Sequence, residues 1–203
     1  MPLDTFTPGD RRAARRALGL PPDVPLCLYV GRLDREKSVD CIIDAFGAIA
    51  DAISTAHLSL VGRGTHETAA RRRAEASPAR HRIHFHGGLP REELPTFYRA
   101  ADLFLFASET ETQGLVLAEA HASGLPAVAV QASGVDEVVR DGETGVLTKS
   151  EPHELADAAV ALLLDPERRR WMGQTARLVA EREFSAGRQV DTLVAHYGRL
   201  LES

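Results

Sequence analysis

Short apolar runs alternate with segments of helical periodicity along most of this chain, and that alternation limits the folds it can adopt. Each run is rich in aliphatic residues and stops at glycine or at a polar turn, which is typical of a buried strand. Strands that alternate with helices at short spacing build a parallel sheet covered on both faces. We therefore predict an α/β fold, a Rossmann-like doubly wound parallel sheet with a helical C-terminal segment. Its six predicted strands are residues 26–30, 57–61, 82–86, 102–107, 127–130 and 146–148.

The beginning of the chain differs from the rest because it is rich in proline and turn-forming residues. Within it, residues 11–18 can form a short helix with Asp10 as its N-cap. We predict that residues 1–25 are a linker or leading segment outside the core, and that residues 26–203 form one domain. Further N-caps are predicted at Asp165 and Ser185, and further helices at residues 42–53, 65–76, 91–100, 136–140 and from 151 onward.

The composition excludes several classes of function. The 203 residues carry a formal net charge of −5, which argues against a bulk attraction to nucleic acid. The arginine triplets at 71–73 and 168–170 favour solvated helix faces over a nucleic-acid patch. Cys27 and Cys41 lie in apolar surroundings, which favours reduced core thiols over a disulfide. We find neither a signal peptide nor an apolar run of membrane-spanning length, so we expect a cytoplasmic protein.

The stretch that points most clearly to chemistry is residues 108–120. It predicts the end of a buried strand, an acidic turn, and a helix that begins near Thr112, whose hydroxyl can cap free backbone N–H groups. A helix N-terminus just beyond the carboxyl end of a parallel strand binds anions readily. Glu111 precedes this helix and Glu119 lies about two turns into it, so the two carboxylates bracket the anion site. A nucleotide diphosphate sugar, with its anionic centre between hydroxyl groups, fits this frame.

Two cations are placed to neutralise such a ligand. Arg32 and Lys37 both lie in the polar loop after the first predicted strand, and that loop faces the predicted helix N-terminus. Arginine offers a planar fork and lysine a point charge to a diphosphate. The alternative for each is a solvated surface charge, and the residues alone leave both interpretations open.

The two glutamates carry alternatives as well. Glu119 follows four apolar residues, so its carboxylate is at risk of burial without a partner. A ribose diol would supply two hydrogen bonds and offset that cost. The alternative for Glu119 is a surface glutamate on the polar edge of the helix, and the alternative for Glu111 is an exposed loop acid.

Other common sites find little support in the sequence. The turn at residues 62–64 lacks the third glycine of the dinucleotide fingerprint, so a nicotinamide enzyme is disfavoured. His84 and His86 share one face of a strand, with His81 nearby, but no cysteine or acid at ligand spacing joins them. We therefore expect no metal site and no cofactor. The sequence also contains neither a nucleophile elbow nor a Walker loop.

Together, these segments resemble the C-terminal, donor-binding domain of the retaining, GT-B-fold glycosyltransferases of family 4. They occur in the family's order over essentially the whole chain, and the ordered set is far more specific than the E-x7-E spacing of the two glutamates alone. The matching segments are Gly31–Leu33 with Lys37, residues 61–64, 85–87 and 98–108, Glu111 with Glu119, and residues 134–139 and 141–145.

The resemblance implies a role for each matching position. Arg32 and Lys37 match the family's diphosphate-binding pair, Glu119 matches the glutamate that holds the ribose, and Glu111 matches the one near the donor sugar. Glu111, Lys37 and Arg32 are therefore the residues expected to serve catalysis. The region beside the nucleobase and the remaining donor contacts correspond to Phe85, Leu89, Gly62, Thr112, Gln113, Gly114 and Leu115.

The resemblance also implies a hexosyltransferase that uses a UDP- or GDP-linked sugar and needs no metal ion. Enzymes of this fold pair two such domains across a cleft, and this chain matches only the second. We therefore expect it to bind donor but to lack activity without an N-terminal acceptor-binding domain, through which any membrane contact would come. A chain cut at a domain boundary is favoured over a natural half-protein that works with a partner.

Two alternatives come from other classes of function. One is a stand-alone nucleotide-binding or regulatory module without transferase activity. The other is an enzyme on a related fold, such as a nucleotide-sugar epimerase, which would require a proton-abstracting base in the cleft. The sequence offers no convincing base, and the nucleobase, sugar and acceptor stay open at this stage.

Overall fold

One parallel sheet of six strands forms the centre of the computed structural model, which describes residues 5–111 and 114–184. The strands are β1 (Leu26–Val30), β2 (His57–Val61), β3 (Ile83–Gly87), β4 (Leu103–Phe106), β5 (Ala127–Val130) and β6 (Gly145–Thr148). They lie in the order β3-β2-β1-β4-β5-β6, and every neighbouring pair is parallel. The central strands β1, β4 and β5 are buried along their whole length, because helices cover both of their faces.

Seven α-helices in the described residues flank this sheet. They are α1 (Arg11–Ala17), α2 (Val39–Ala52), α3 (Glu67–Ala76), α4 (Leu94–Ala100), α5 (Leu115–Ala122), α6 (Pro152–Leu164) and α7 (Pro166–Glu183). Helix α2 packs against α3 and α6, α1 packs against α4, and α5 packs against α7. The predicted doubly wound α/β fold is confirmed. Within residues 5–111 and 114–184, no helix combines the length and apolar character that a membrane crossing requires.

Several predicted element ends need correction. The central helix begins at Leu115 rather than near Thr112, and Thr112, Gln113 and Ser185 lie outside the described residues. The helix predicted at residues 136–140 is wrong, because residues 133–138 form consecutive turns. So short a segment gains too few hydrogen bonds to offset helix nucleation. The N-cap at Asp165 is confirmed, since its side chain accepts a backbone N–H of α7 at 2.9 Å.

The leading segment packs onto the domain more closely than its sequence predicts. Asp10 caps α1 as predicted, accepting a backbone N–H of the first turn at 3.0 Å. The expectation that the segment lies outside the core is wrong for Phe6 and Arg15, which are both buried. Arg15 donates to Asp102, just before β4, at 2.5 Å. Apolar contact and a buried ion pair thus fix this segment to the sheet, while its role as an interdomain linker stays a prediction.

Arginine side chains cover the C-termini of four helices. The last carbonyls of a helix lack intrahelical partners, and a cation there also complements the helix dipole. Arg15 donates to the last carbonyl of α4 at 2.8 Å, and Arg169 donates to two carbonyls in the last turn of α6 at 2.9 and 2.8 Å. Arg177 donates to the last carbonyl of α5, and Arg82 donates to the carbonyl of Ser54, just beyond α2, at 2.8 Å. These arginines therefore stabilise the fold at the amino edge of the sheet.

His121 gives the fold a pH dependence. Its side chain is fully buried in α5, and neither ring nitrogen has a hydrogen-bond partner among the described residues. Burial lowers the pKa of His121 to about 4. In the unfolded chain the imidazole binds its proton near pH 6.5. The free energy of unfolding is therefore highest above this value and falls as the pH drops from about 6.5 toward 4.

We expect the substitution His121→Leu to flatten this part of the stability profile. In the unsubstituted chain, this group should contribute a loss of up to about 1.4 kcal/mol per pH unit below pH 6.5. Denaturant unfolding at several pH values between about 7 and 4.5 measures the slope. His153→Leu, at an exposed position, is the matched control and should leave the slope nearly unchanged. Equal slopes for His121→Leu and the unsubstituted chain would assign the proton uptake to other groups.

Candidate functional site

The carboxyl ends of the strands bring the predicted ligand-binding loops to one edge of the sheet. The strand order reverses beside β1, because β2 and β3 lie on one side of it and β4, β5 and β6 on the other. In an open α/β sheet this reversal opens a crevice between two diverging loops, here those after β1 and β4. Lys37 belongs to the first loop and Glu111 to the second. The candidate site lies in this crevice.

Lys37 joins the two loops across the crevice. Its ammonium group lies 3.2 Å from the carboxylate of Glu111, 3.3 Å from the hydroxyl of Ser108 and 3.2 Å from the carbonyl of Thr110. The side chains of Lys37 and Glu111 are only 15% and 16% exposed. A solvated surface charge for Lys37 and an exposed loop acid for Glu111 are therefore both wrong interpretations. The crevice holds a largely buried pair of opposite charges.

Glu111 also organises the start of α5. Its other carboxylate oxygen accepts the backbone N–H of Gly114 at 3.2 Å. Gly114 directly precedes α5, and a Cβ at this position would lie 2.7 Å from the side chain of Val138. The first residue of the helix, Leu115, is partly exposed at this edge. The N-terminus of α5, where backbone N–H groups lack partners within the helix, therefore lies beside the Lys37–Glu111 pair, as an anion site requires.

Arg32 lies in the same loop as Lys37 but has different partners. Its guanidinium group lies 2.7 Å from the carboxylate of Asp34 and 2.9 Å from that of Glu36. The side chain of Arg32 stays 67% exposed. The two predicted cations thus share a loop, but Arg32 pairs with acids of that loop rather than with Glu111. For Arg32, the interpretation as a surface charge stays open.

Asp34 is a residue that sequence reasoning missed. It is nearly buried and accepts the backbone N–H of Thr65 at 2.7 Å and its hydroxyl at 2.9 Å. These hydrogen bonds from Thr65 hold the pKa of the Asp34 carboxyl below its usual value. Asp34 therefore ties the loop after β1 to the loop after β2. Its contact crosses between two distant segments, so no local spacing signals it.

An open depression of about 270 Å³ lies next to the crevice, at the ends of β1 and β2. Gly62, Leu89 and Arg32 line it, together with the backbone of Gly31, so these three predicted contacts share one surface. Phe85 lies elsewhere, since its ring packs 4.4 Å beneath the guanidinium group of Arg71 in α3. Of the predicted nucleobase region, the structure therefore places Leu89 rather than Phe85 on the wall of this depression.

Glu119 is buried, with only 4% of its surface exposed, so its interpretation as a surface glutamate is wrong. One carboxylate oxygen accepts from Arg91 at 2.7 Å and the other accepts from the hydroxyl of Tyr98 at 3.0 Å. Burial raises the pKa of Glu119, while the hydrogen bond from Tyr98 and the charge of Arg91 oppose that shift. Sequence reasoning did not identify Arg91 or Tyr98 as its partners. The available signal was a tyrosine on an apolar helix face, since a buried hydroxyl needs a partner.

The histidines of β2 and β3 show no metal-binding arrangement. His57 and His84 lie 2.8 Å apart through their ring nitrogens, and His86 lies 3.1 Å from the hydroxyl of Ser59. Across residues 5–111 and 114–184, no group of three or more histidines, cysteines or acids is arranged to hold a metal ion. The expectation of a metal-free and cofactor-free site stays a prediction.

A larger cavity, of about 480 Å³, lies at the opposite, amino edge of the sheet between Pro126 and α7. Three of the four arginines on its wall have protein partners. Arg11 pairs with Asp102 at 3.0 Å, and Arg169 and Arg177 donate to the helix carbonyls described above. In doubly wound sheets, ligands bind at the carboxyl edge. The crevice beside β1 and β4 is therefore the better candidate, although the depression next to it is smaller than the cavity at the amino edge.

Comparison with known proteins assigns the chain to a family. Residues 10–179 match the family described as glycosyl transferases group 1. The chain belongs to this family. Two curated relatives are D-inositol 3-phosphate glycosyltransferases, from Corynebacterium glutamicum (36% identical over 184 residues) and Geodermatophilus obscurus (37% over 205 residues). The matches cover 86% and 96% of this chain but only 44% and 45% of those proteins, so the chain spans less than half their length.

Solved structures share the fold of this group 1 domain. Sucrose-phosphate synthase from Thermosynechococcus elongatus is 30% identical with a TM-score of 0.88, over 100% of this chain and 51% of that one. HepE of Anabaena, solved with UDP and glucose, is 24% identical with a TM-score of 0.86, over 100% and 55% of the two chains. The C-terminal domain of LpcC from Francisella tularensis is 21% identical with a TM-score of 0.83, over 92% and 99%. The fold is therefore that of the C-terminal domain of a GT-B glycosyltransferase.

Gly62 offers a test of how closely the loops at this edge must approach. It has a φ of 145°, and a Cβ there would overlap the carbonyl oxygen of Gly31. Gly62→Ala should therefore destabilise the domain by more than about 2 kcal/mol, since a backbone clash adds to the strain. Gly142→Ala is the matched control, because Gly142 also has a positive φ of 76° but has open space around its Cβ position. It should cost only about 1 kcal/mol.

Denaturant unfolding of the two glycine variants makes the comparison. Equal losses for Gly62→Ala and Gly142→Ala would contradict the close approach of the two loops. The substitution at Gly62 should also weaken ligand binding in the crevice, because it separates the loops that form the adjoining depression.

Proposed function

We propose that this group 1 domain is the nucleotide-sugar binding half of a retaining, family 4 glycosyltransferase that transfers a hexose to an acceptor. The observation that carries the proposal is the Lys37–Glu111 pair in the crevice where the strand order reverses, beside the N-terminus of α5. A cation and free backbone N–H groups at one point suit a diphosphate. The complex of HepE with UDP and glucose supports a nucleotide-linked sugar as the donor class.

Each part of the donor has a proposed place. The diphosphate lies against Lys37 and the first backbone N–H groups of α5, and Arg32 turns toward it from its exposed position. The ribose hydroxyls donate to Glu119, whose oxygens each retain a lone pair beyond those used by Arg91 and Tyr98. The sugar lies near Glu111 and the nucleobase near Gly62 and Leu89.

The same residues explain how the donor is activated. When the bond between sugar and diphosphate breaks, negative charge develops on the departing diphosphate. Lys37, Arg32 and the helix N-terminus provide positive charge and hydrogen-bond donors for it, so no cofactor or metal ion is required. Glu111 serves the sugar side and holds Lys37 in place until donor binds.

The acceptor side of the reaction is assigned to an N-terminal domain. The matched residues correspond to less than half the length of these relatives, so we propose that an acceptor-binding domain forms the opposite wall of the cleft. We expect this chain to bind donor but to transfer no sugar alone. The alternative is a stand-alone nucleotide-binding module, which would bind equally well but gain no activity when an acceptor-binding domain is supplied. Any membrane contact would come through that domain, and a cytoplasmic location stays a prediction.

Calorimetry with UDP is the primary test. We expect UDP to bind equally with and without a chelator of divalent metals. Lys37→Met and Arg32→Met should each weaken UDP about tenfold or more, and should change uridine binding little, because charge-assisted hydrogen bonds contribute about 1.5–3 kcal/mol. Lys149→Met, at a side chain that is 81% exposed, is the matched control. Loss of binding in chelator, or equal losses for uridine and UDP, would contradict the proposal.

A second test separates the two glutamates. Glu119→Ala should weaken UDP and UDP-glucose alike by about 2–4 kcal/mol, because both carry the ribose. Glu111→Gln should leave UDP nearly unchanged and remove only the added affinity of the sugar, measured by ligand-observed NMR. The melting temperature without ligand controls for unfolding. The opposite pattern, with UDP binding lost in Glu111→Gln and retained in Glu119→Ala, would reverse the assignment.

A further inference from the structure

The carboxylate of Glu119 is held by a series of contacts that begins in the leading segment, at Phe6. The ring of Phe6 is fully buried and meets the ring of Tyr98 edge-on, with centroids 5.5 Å apart and planes at 84°. Tyr98 is also buried, and its hydroxyl donates to Glu119 at 3.0 Å. Because interiors are closely packed, the position of the Tyr98 hydroxyl depends on the ring beside it.

Phe6 also contacts the second partner of Glu119. The guanidinium carbon of Arg91 lies 5.4 Å from the centre of the Phe6 ring, and Arg91 donates to the other oxygen of Glu119 at 2.7 Å. The side chain of Arg91 is 53% exposed, so the buried ring provides a fixed surface against which it rests. One aromatic ring therefore touches both side chains that hold the carboxylate.

Two arginines fix the backbone on which Phe6 is carried. Arg177 from α7 donates to the carbonyl of Phe6 at 2.8 Å. Arg99 from α4 donates to the carbonyl of Thr7 at 2.9 Å and to its hydroxyl at 3.0 Å. The leading segment is thus clamped between two helices of the domain. Moving it would move the ring that supports Tyr98 and Arg91.

We propose that Phe6 is a positioning residue for Glu119, which it orients through Tyr98 and Arg91. The inference rests on the proposed binding of ribose by Glu119. The two donors fix the plane of the carboxylate and so the direction of its remaining lone pairs, which the ribose hydroxyls must meet. The path of the leading segment therefore influences the affinity of Glu119 for ribose, although the segment does not contact the ribose itself. A shift in the position of Phe6 would therefore alter ribose binding through Tyr98 and Arg91.

The test compares UDP with 2′,3′-dideoxy-UDP, which lacks the ribose hydroxyls. The affinity for UDP divided by the affinity for the dideoxy analogue measures what these hydroxyls contribute to binding. Phe6→Leu and Tyr98→Phe should each lower this ratio by about three- to tenfold, as expected for coupled neighbours. Glu119→Gln should lower the ratio further. In the Glu119→Gln background, Phe6→Leu should no longer change the ratio, since its effect passes through the carboxylate. Calorimetry on the full chain provides all these affinities.

Phe46→Leu is the matched control, because Phe46 is a fully buried phenylalanine in α2. It should lower the melting temperature without changing the affinity ratio. If Phe6→Leu weakens both ligands equally, or lowers the ratio as much in the Glu119→Gln background, the inference is overturned and Phe6 is a packing residue. If Glu119→Gln leaves the ratio unchanged, the ribose assignment itself fails, and the inference fails with it. Should Phe6→Leu not fold, Phe6→Met carries the same test, because the flexible methionine fills the space but lacks the aromatic ring that Tyr98 and Arg91 contact.

Discussion

The reversal of strand order beside β1 is the constraint on which the site depends. After β1 the chain continues to β2 on one side of the sheet, whereas after β4 it continues to β5 on the other side. The loops that follow β1 and β4 therefore diverge and leave a crevice between them. Lys37 and Glu111 enter it from opposite sides and meet at 3.2 Å. A largely buried ion pair of this kind is costly unless its geometry is good or a ligand uses it. The fold thus places a cation, an acid and a helix N-terminus close together in the absence of ligand.

The second half of the site depends on burial rather than on topology. Glu119 lies inside α5 among apolar neighbours, where an ionised carboxylate needs hydrogen-bond donors. Tyr98 and Arg91 supply them, and Phe6 packs against both. The leading segment is therefore part of the structure that surrounds the candidate ribose site, although its sequence is that of a linker. Removing residues 1–25 would remove Phe6 and uncover the ring of Tyr98 against which it packs.

Much of the fold could be predicted because burial in a parallel sheet imposes continuous apolar runs. Three of the observed strands have the predicted bounds and the other three differ by a single residue at one or both ends, and the caps at Asp10 and Asp165 formed as expected. The helix at residues 136–140 was wrong because polar turn residues and a short apolar pattern suit turns equally well.

The proximity of Lys37 and Glu111 was predictable, whereas most of the contacts around the candidate site were not. The loops of Lys37 and Glu111 follow strands whose ends must share an edge, so their proximity followed from the fold class. The partners of Glu119, and the link from Asp34 to Thr65, join segments far apart in the chain. Such contacts depend on how helices and loops settle on the sheet, which no local spacing records. The exposed position of Arg32 has a different, local cause, since two acids of its own loop, Asp34 and Glu36, pair with it.

A crystal structure of this chain with UDP, grown without divalent metal, would test the central claim most directly. We expect the diphosphate to lie within hydrogen-bond distance of the Lys37 ammonium group and of the backbone N–H groups that begin α5. We also expect the ribose hydroxyls to bind the carboxylate of Glu119. UDP bound among the arginines at the amino edge, or bound in the crevice with its ribose away from Glu119, would contradict it.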